Sequence, residues 1–214
     1  AATRGEGLFS PDGHLVDATY SAVCGGFTEN NDVVWGGPPN SSLRGRPDLL
    51  PGKESKVSPA RLGEFLTTEA PHACRLSTFA QPTRYRWEKR LSVAEVNEKT
   101  QALGVGAVMA MTVTERGVSG RARLLQISGS EGATQVRGEL NIRKLFGMLN
   151  SAMFELKLEK DAKSKPQTWV FTGGGWGHGV GMCQTGAIGR AEAGQGYREI
   201  LDHYYNSAQV ARIY

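Results

Sequence analysis

The sequence predicts an α+β fold, with mixed or antiparallel sheets, short helices, and a glycine loop that leads into a helix near the C-terminus. Two observations favour this class. Runs with strand character occur in pairs separated by turn residues, as in antiparallel hairpins. Short segments with helical spacing lie between these pairs, without the regular strand–helix alternation that is typical of a doubly wound parallel sheet.

The N-terminal part combines a predicted hairpin with a long loop. The turn sequence Ser10-Pro-Asp-Gly13 separates Leu8-Phe9 from the β-prone run 14–21, so we expect these two runs to pair. Residues 24–51 are rich in Gly, Asn, Asp and Pro and indicate a loop. Long loops in compact domains are often functional, so this segment is a candidate for part of a binding site.

Helix starts and strands follow in the middle of the chain. Ser58 followed by Pro59 predicts the start of a short helix, and Ser92-Val-Ala-Glu95 has the pattern of a capping box. The remaining predicted elements are strands at 107–114, 121–128, 134–137, 154–159 and 169–171, and helices around 142–149, 187–193 and 197–204.

Composition and charge are those of a soluble globular protein with a mild positive charge. The chain has 214 residues, 39% of them hydrophobic and 21% charged, with a net charge of +4. Because no Lys/Arg-rich run interleaved with aromatic residues occurs, nucleic acid is not favoured as a partner. No apolar run approaches the roughly 20 residues that span a bilayer, so no transmembrane segment is expected in this chain.

The most specific feature is the loop Gly173-Gly-Gly-Trp-Gly-His-Gly-Val-Gly-Met-Cys-Gln184. No register gives G-x-G-x-x-G and no Lys-Ser/Thr follows, which argues against a nucleotide site. A glycine-rich backbone can approach a ligand closely, and this loop carries one indole and one imidazole. Such a loop suits a sugar, because the indole face stacks on the C–H groups of the sugar while the sugar hydroxyls hydrogen-bond to polar groups. The alternative is that Trp176 anchors the core and His178 hydrogen-bonds the backbone to shape the loop.

Two long motifs resemble the SpoIID/LytB family. One is the run Gly175-Trp-Gly-His-Gly-Val-Gly-Met-Cys-Gln-Thr-Gly-Ala187, and the other is Val16-Asp-Ala-Thr-Tyr-Ser-Ala-Val-Cys-Gly-Gly-Phe-Thr-Glu-Asn-Asn31 with Trp35. Shorter matches in family order occur at Tyr85-Arg-Trp87, at Ser119-Gly-Arg121 and at Arg143. The resemblance therefore extends over essentially the whole chain.

The resemblance implies a peptidoglycan lytic transglycosylase, which cuts MurNAc–GlcNAc bonds and leaves 1,6-anhydro-muramyl ends. The alternative is a non-catalytic cell-wall protein that enhances an N-acetylmuramoyl-alanine amidase. Either is implied to be exported to the periplasm or cell envelope, to have glycan strands as its partner, and to need no cofactor. We expect residues 1–214 to form a single domain that lacks the family's N-terminal segment with the catalytic glutamate, so that this chain alone is inactive.

The candidate site residues come from the two motifs. We expect them to face one cleft and to bind sugar through Tyr20, Ser21, Gly25, Gly26, Trp176, His178 and Gln184. Tyr20 and Ser21 have the alternative of simply belonging to a sheet. Glu29 is a weak candidate for the catalytic acid/base, whereas a role in capping a turn or pairing with an arginine is favoured.

The three cysteines match no zinc signature, and the four histidines stand far apart, so we expect no metal ion within this chain. Cys24 and Cys74 lie in loop segments, whereas Cys183 belongs to the motif that enters a helix. For an exported domain we therefore expect a disulfide between Cys24 and Cys74. The alternative is three reduced, partly buried thiols.

Overall fold

The structure, a computed structural model, describes residues 3–213. The strands are β1 (Glu6–Phe9), β2 (Tyr20–Ser21), β3 (Arg86–Ser92), β4 (Val108–Arg116), β5 (Ala122–Gly129), β6 (Gly132–Arg137), β7 (Phe154–Lys160), β8 (Pro166–Gly174), β9 (Met182–Cys183) and β10 (Gln209–Arg212). The helices are α1 (Asn31–Trp35), α2 (Leu62–Thr67), α3 (Ala73–Leu76), α4 (Pro82–Tyr85), α5 (Val93–Thr100), α6 (Glu139–Leu145), α7 (Gln184–Glu192) and α8 (Tyr197–Tyr204). The α+β class is confirmed.

Four small sheets organise these strands. Two are antiparallel and three-stranded, with the orders β3-β8-β7 and β4-β5-β6. Two are two-stranded: β1 pairs with β10 in antiparallel fashion, and β2 pairs with β9 in parallel fashion. No helix within residues 3–213 is long and apolar enough to cross a lipid bilayer.

The larger hydrophobic core is shared by both three-stranded sheets and by α5 and α6. Each fully buried side chain of this kind stabilises the fold by about 1.5–3 kcal/mol. Its members include Trp87, Leu91, Val96, Leu125, Ile127, Ile142, Phe146, Phe154 and Phe171.

A second core lies behind the glycine loop. It combines side chains from both candidate motifs with side chains of the C-terminal helix α8, so the two motifs pack against the same hydrophobic core. Its members include Val23, Cys24, Val34, Cys74, Tyr85, Val180, Cys183, Ile200, Tyr204 and Tyr205.

The predicted capping box at the start of α5 is confirmed. The Ser92 hydroxyl accepts a hydrogen bond from the Glu95 backbone N–H at 3.2 Å, and the Glu95 carboxylate accepts one from the Ser92 backbone N–H at 2.7 Å. Two backbone N–H groups that the helix cannot satisfy are thus paired locally. Such a local contact is what a sequence pattern can specify.

The predicted N-terminal hairpin is only partly correct. The turn forms, since the Ser10 backbone N–H donates to the His14 carbonyl at 2.8 Å. The second strand does not form beyond a single bridge between Phe9 and Leu15, and β1 pairs with the C-terminal β10 instead. Leu15 is 63% exposed, and only the neighbouring Val16 packs against the second core, so the run 14–21 buries little apolar surface as a strand beside β1.

The two glycine-rich segments approach each other backbone to backbone. A Cβ atom on Gly175 would lie 2.8 Å from the Val23 carbonyl oxygen, and one on Gly25 would lie 2.8 Å from the Gly175 nitrogen. Gly175 also has φ of +83°, which disfavours any L side chain. Glycine at these positions is therefore required by packing within the protein.

Replacing Gly175 with alanine should destabilise the protein more than the same change at Gly13. Both glycines have φ of +83°, but a Cβ on Gly13 would meet nothing within 4 Å. Left-handed strain should cost about 1–2 kcal/mol in either variant, and the close contact should add about 1–3 kcal/mol in Gly175→Ala alone. Urea unfolding of both variants measures the difference. Equal losses of stability would contradict the close-approach explanation.

Candidate functional site

The two motifs that the sequence analysis singled out lie side by side. The backbones of Val23 and Trp176 exchange two hydrogen bonds, of 2.7 and 3.2 Å. Further along, the Glu29 backbone N–H donates to the Gly179 carbonyl at 2.8 Å. The expected meeting of these distant segments is confirmed. That they line a sugar-binding cleft remains a prediction.

Exposed aromatic rings mark the surface of this region. Tyr20 is 57% exposed, Trp35 is 53% exposed and Trp176 is 41% exposed. The half-buried His178 ring packs against Trp35, with 5.1 Å between the ring centroids. We call Tyr20, Trp35, Trp176 and His178 the aromatic strip. The exposure of Trp176 rules out the alternative that it anchors the core.

The guanidinium of Arg84 in α4 lies over the Trp176 ring, 5.0 Å from its centroid. A cation over an indole face is attracted to it and holds the ring in one orientation. Neither Arg84 nor Trp35 was singled out as a site residue from the sequence. Trp35 belongs to the quoted motif, but only the fold brings its ring to His178.

His178 is neutral at physiological pH. The Val180 backbone N–H donates to Nδ1 of the imidazole at 3.1 Å, which places the ring proton on Nε2. Burial, with the nearby Arg121 charge as a second cause, lowers the pKa of His178 to about 4, although a hydrogen bond with the Tyr20 backbone opposes this shift. The loop-shaping role of His178 is therefore supported by geometry, and its half-buried ring still reaches the surface.

The remaining proposed sugar-binding residues differ in how accessible they are. Gly25 and Gly26 are buried, and a Cβ on Gly26 would lie 2.5 Å from the His72 ring, so internal packing alone accounts for glycine at these positions. Ser21 is 6% exposed in β2, and its hydroxyl has no hydrogen-bond partner among residues 3–213. Gln184 is exposed at the first position of α7 and remains a candidate.

Glu29 is buried and its carboxylate is saturated with hydrogen bonds. It accepts from the backbone N–H groups of Asn30 at 2.8 Å, Val118 at 3.1 Å and Ser119 at 3.2 Å, and from the Ser119 hydroxyl at 2.6 Å. A general acid/base must reach the proton that it transfers. This geometry supports the structural role that the sequence analysis favoured, and we do not carry Glu29 forward as an acid/base.

Arg121 completes a buried polar network. Its guanidinium donates to the Ser119 hydroxyl at 2.8 Å and to the Cys24 carbonyl at 3.1 Å. A Cβ on Gly179 would lie 2.3 Å from its Cζ atom, so the glycine loop packs directly on the guanidinium. Burial lowers the pKa of Arg121, and the nearby Glu29 charge opposes this shift. The turn between β4 and β5 is thereby joined to both motifs.

The expected disulfide is not formed in the structure. The Sγ atoms of Cys24 and Cys74 lie 3.7 Å apart, well beyond the roughly 2.05 Å of an S–S bond, and all three cysteines are free thiols. Cys183 and the carboxylate of Asp48 join them, with all four ligand atoms within 4.8 Å of one another. Burial raises the pKa of each thiol. Sequence spacing missed this cluster because four separate segments supply it.

Replacing Glu29 with glutamine should lower the free energy of unfolding by about 2–3 kcal/mol, because charge-assisted hydrogen bonds are lost and the amide group meets N–H donors. Urea unfolding measures this loss. The exposed Glu98 in α5 is a matched control, and Glu98→Gln should change stability by less than about 0.5 kcal/mol. An unchanged unfolding curve for Glu29→Gln would contradict the structural role.

Acid should weaken the fold partly through His178. The unfolded chain binds a proton near pH 6.5, whereas the folded one binds it only near pH 4. The stabilisation that the neutral ring provides is therefore complete above pH 6.5 and is lost as the pH falls towards 4. In His178→Gln, unfolding free energies measured between pH 7 and 4.5 should fall less steeply, by up to about 1.4 kcal/mol per pH unit. An unchanged slope would contradict this assignment.

Comparisons with known proteins agree with the motifs. The family described as Domain of unknown function (DUF8618) matches residues 29–181. The chain is 27% identical to the "Amidase enhancer" of Bacillus subtilis over 95% of its own length and 30% of the relative. It is 25% identical to "Stage II sporulation protein D" of Bacillus amyloliquefaciens over 99% of its length and 49% of the relative.

An uncharacterized protein of Brachyspira hyodysenteriae is 54% identical over 41 residues, which is 19% of this chain and 11% of that protein. The chain spans about a third to a half of the length of the two Bacillus relatives. Both of these matches extend along nearly the whole chain, through both glycine-rich motifs. The chain therefore belongs to the domain family described as Domain of unknown function (DUF8618) and to the SpoIID/LytB family of amidase enhancers and stage II sporulation proteins D.

Proposed function

We propose that this chain binds the glycan strands of peptidoglycan through the aromatic strip, within a peptidoglycan-processing protein of the cell envelope. The observation that carries the proposal is the exposure of three aromatic rings beside the glycine loop. Large exposed aromatic groups in one region are unusual unless they meet a ligand or a partner. Sugar rings have apolar C–H faces that stack on such rings.

The scaffold under the aromatic strip supports binding with little loss of entropy. Trp176 is fixed by its backbone hydrogen bonds to Val23 and by the Arg84 guanidinium over its ring. His178 is fixed by the Val180 N–H and by its contact with Trp35. Because these rings are ordered before a ligand arrives, less conformational entropy is lost on binding.

For the whole protein we propose lytic transglycosylase activity. In that reaction a carboxylic acid protonates the glycosidic oxygen as the glycosidic bond breaks. The resulting carboxylate takes the proton of the muramyl 6-hydroxyl, whose oxygen bonds to the anomeric carbon and closes a 1,6-anhydro ring. The nucleophile belongs to the substrate, unlike the water or carboxylate of ordinary glycoside hydrolysis. The residues of this chain would bind and orient the strand. We assign the catalytic acid to no residue within 3–213, since Glu29 is buried and fully hydrogen-bonded.

The second candidate function is enhancement of a cell-wall amidase without glycan cleavage. It is favoured by the relative named "Amidase enhancer", which matches nearly the whole chain. Product analysis separates the two functions. Incubation of the whole protein with peptide-free glycan strands should yield anhydro-muramyl ends if it is a transglycosylase. Faster release of stem peptides by an added amidase, without anhydro ends, would favour the enhancer.

Replacing Trp176 or Trp35 with alanine should weaken binding of purified, peptide-free glycan strands by about 5–10-fold each, because each loses a stacking face worth roughly 1 kcal/mol. The matched control is Tyr197 in α8, which is 41% exposed like Trp176 but hydrogen-bonds Glu6. Tyr197→Ala should bind as the unchanged protein does. Calorimetric titration measures affinity, and circular dichroism checks folding. Equal weakening in all three variants would defeat the aromatic strip as the binding surface.

A further inference from the structure

The strongest unexplained feature is the thiol cluster, which we define as Cys24, Cys74, Cys183 and Asp48. Cys24 follows β2, Asp48 lies in the long loop before α2, Cys74 is in α3, and Cys183 ends β9. All four residues are at most 1% exposed. The chain has only these three cysteines, and the fold brings all of them to one point.

Two separations within the cluster are close to those of a tetrahedral metal site. With Zn–S bonds of about 2.3 Å, two sulfur ligands at tetrahedral angles lie about 3.8 Å apart, and a sulfur and an oxygen about 3.6 Å apart. The Cys24 and Cys74 sulfurs lie 3.7 Å apart, and Cys24 Sγ lies 3.2 Å from Asp48 Oδ2. The longest separation is within 4.8 Å, so closing around an ion requires shifts of about 1 Å.

The surroundings orient Asp48 towards the sulfurs. Its Oδ1 atom accepts hydrogen bonds from Nε and Nη2 of Arg190, each at 3.1 Å, and from the Tyr204 hydroxyl at 2.8 Å. Its Oδ2 atom is left to face Cys24. Carboxylate ligands of metal sites are held in the same manner, with one oxygen fixed by outer partners.

Backbone N–H groups point at the sulfur atoms. The Gly26 N–H donates to Cys24 Sγ at 3.4 Å, and the N–H groups of Cys24 and Gly186 donate to Cys183 Sγ at 3.1 and 3.3 Å. Cys183 is also the N-cap of α7, where the helix dipole favours negative charge. Such donors stabilise thiolates, the form in which cysteine binds metals.

Positive charge around the cluster offsets the charge of such ligands. Three thiolates, one carboxylate and one divalent cation carry a net charge of −2. The guanidinium of Arg190 contacts Asp48, that of Arg121 donates to the Cys24 carbonyl at 3.1 Å, and that of Arg86 donates to the Gly25 carbonyl at 2.9 Å. Buried charge without such compensation is strongly disfavoured. The arrangement suits a charged metal centre better than three neutral thiols.

We propose that Cys24, Cys74, Cys183 and Asp48 bind one zinc ion as a closed structural site behind the glycine loop. Thiolates with one carboxylate at tetrahedral spacing suit zinc, and four protein ligands leave no position for substrate. The ion joins β9 to α3 and to the segments that carry Cys24 and Asp48. Its role is to hold both glycine-rich motifs in register, independently of whether the aromatic strip binds glycan.

The test is the metal content of the purified protein, prepared without chelators and measured by inductively coupled plasma mass spectrometry. The expected result is about one zinc ion per chain, released when a mercurial reagent blocks the thiols. Iron in place of zinc would overturn the proposal. Absence of metal after incubation with zinc would also overturn it, as would a protein mass that is lower by two hydrogens because Cys24 and Cys74 are joined.

Variants locate the ion. In Cys74→Ser, zinc affinity measured by competition with a chromophoric chelator should fall by more than the 10–100-fold that loss of an outer partner costs. In the matched pair of carboxylate variants, Asp48→Asn should lose zinc, whereas Asp202→Asn, at an exposed position in α8, should keep it. If a cluster variant fails to fold, cobalt substitution of the unchanged protein still tests the ligands. Absence of a thiolate-to-cobalt absorption band would then refute the site.

Discussion

The contact on which the aromatic strip depends is the backbone-to-backbone approach of the two glycine-rich motifs. Val23 and Trp176 exchange hydrogen bonds at a separation that leaves no room for a Cβ on Gly25 or Gly175. Glycine loses more conformational entropy on folding than any other residue, so such a contact needs compensation elsewhere. The compensation lies in the shared apolar core behind both motifs, which makes the surface and the interior one structural unit.

Polar groups fix the position of this unit relative to the sheets. The chain Glu29–Ser119–Arg121 passes from one motif to the turn between β4 and β5 and back to the underside of the glycine loop at Gly179. Buried charges add little net stability because their desolvation costs nearly as much as their pairing returns. These buried charges instead fix the position of the glycine loop, because a displaced loop would leave the Glu29 carboxylate or the Arg121 guanidinium without a partner. The apolar core therefore stabilises the region under the aromatic strip, and the buried polar contacts fix its position.

Local patterns were predictable from the sequence, and distant partners were not. The capping box at Ser92, the helices near the C-terminus and most strands follow from residue spacing within ten positions or fewer. The partner of β1 is about two hundred residues away, and the thiol cluster draws on four segments. No periodicity connects such positions. For the candidate site, the motifs predicted Trp176 and His178, and their role in binding stays a prediction. The burial of Gly25, Gly26 and Glu29 depends on packing that only the coordinates reveal.

The pairing of β1 with β10 brings the two ends of the described chain together, since Glu6 lies opposite Arg212. The pairing contributes only a few hydrogen bonds, the half-buried side chains of β1 and one half-buried side chain of β10. Within residues 3–213 neither strand belongs to a larger sheet, although Phe9 of β1 also forms a single bridge with Leu15. We therefore expect the two strands to form and separate together as one small cooperative unit. Amide protons of both strands should consequently exchange with solvent at a common rate, faster than those of the central sheets.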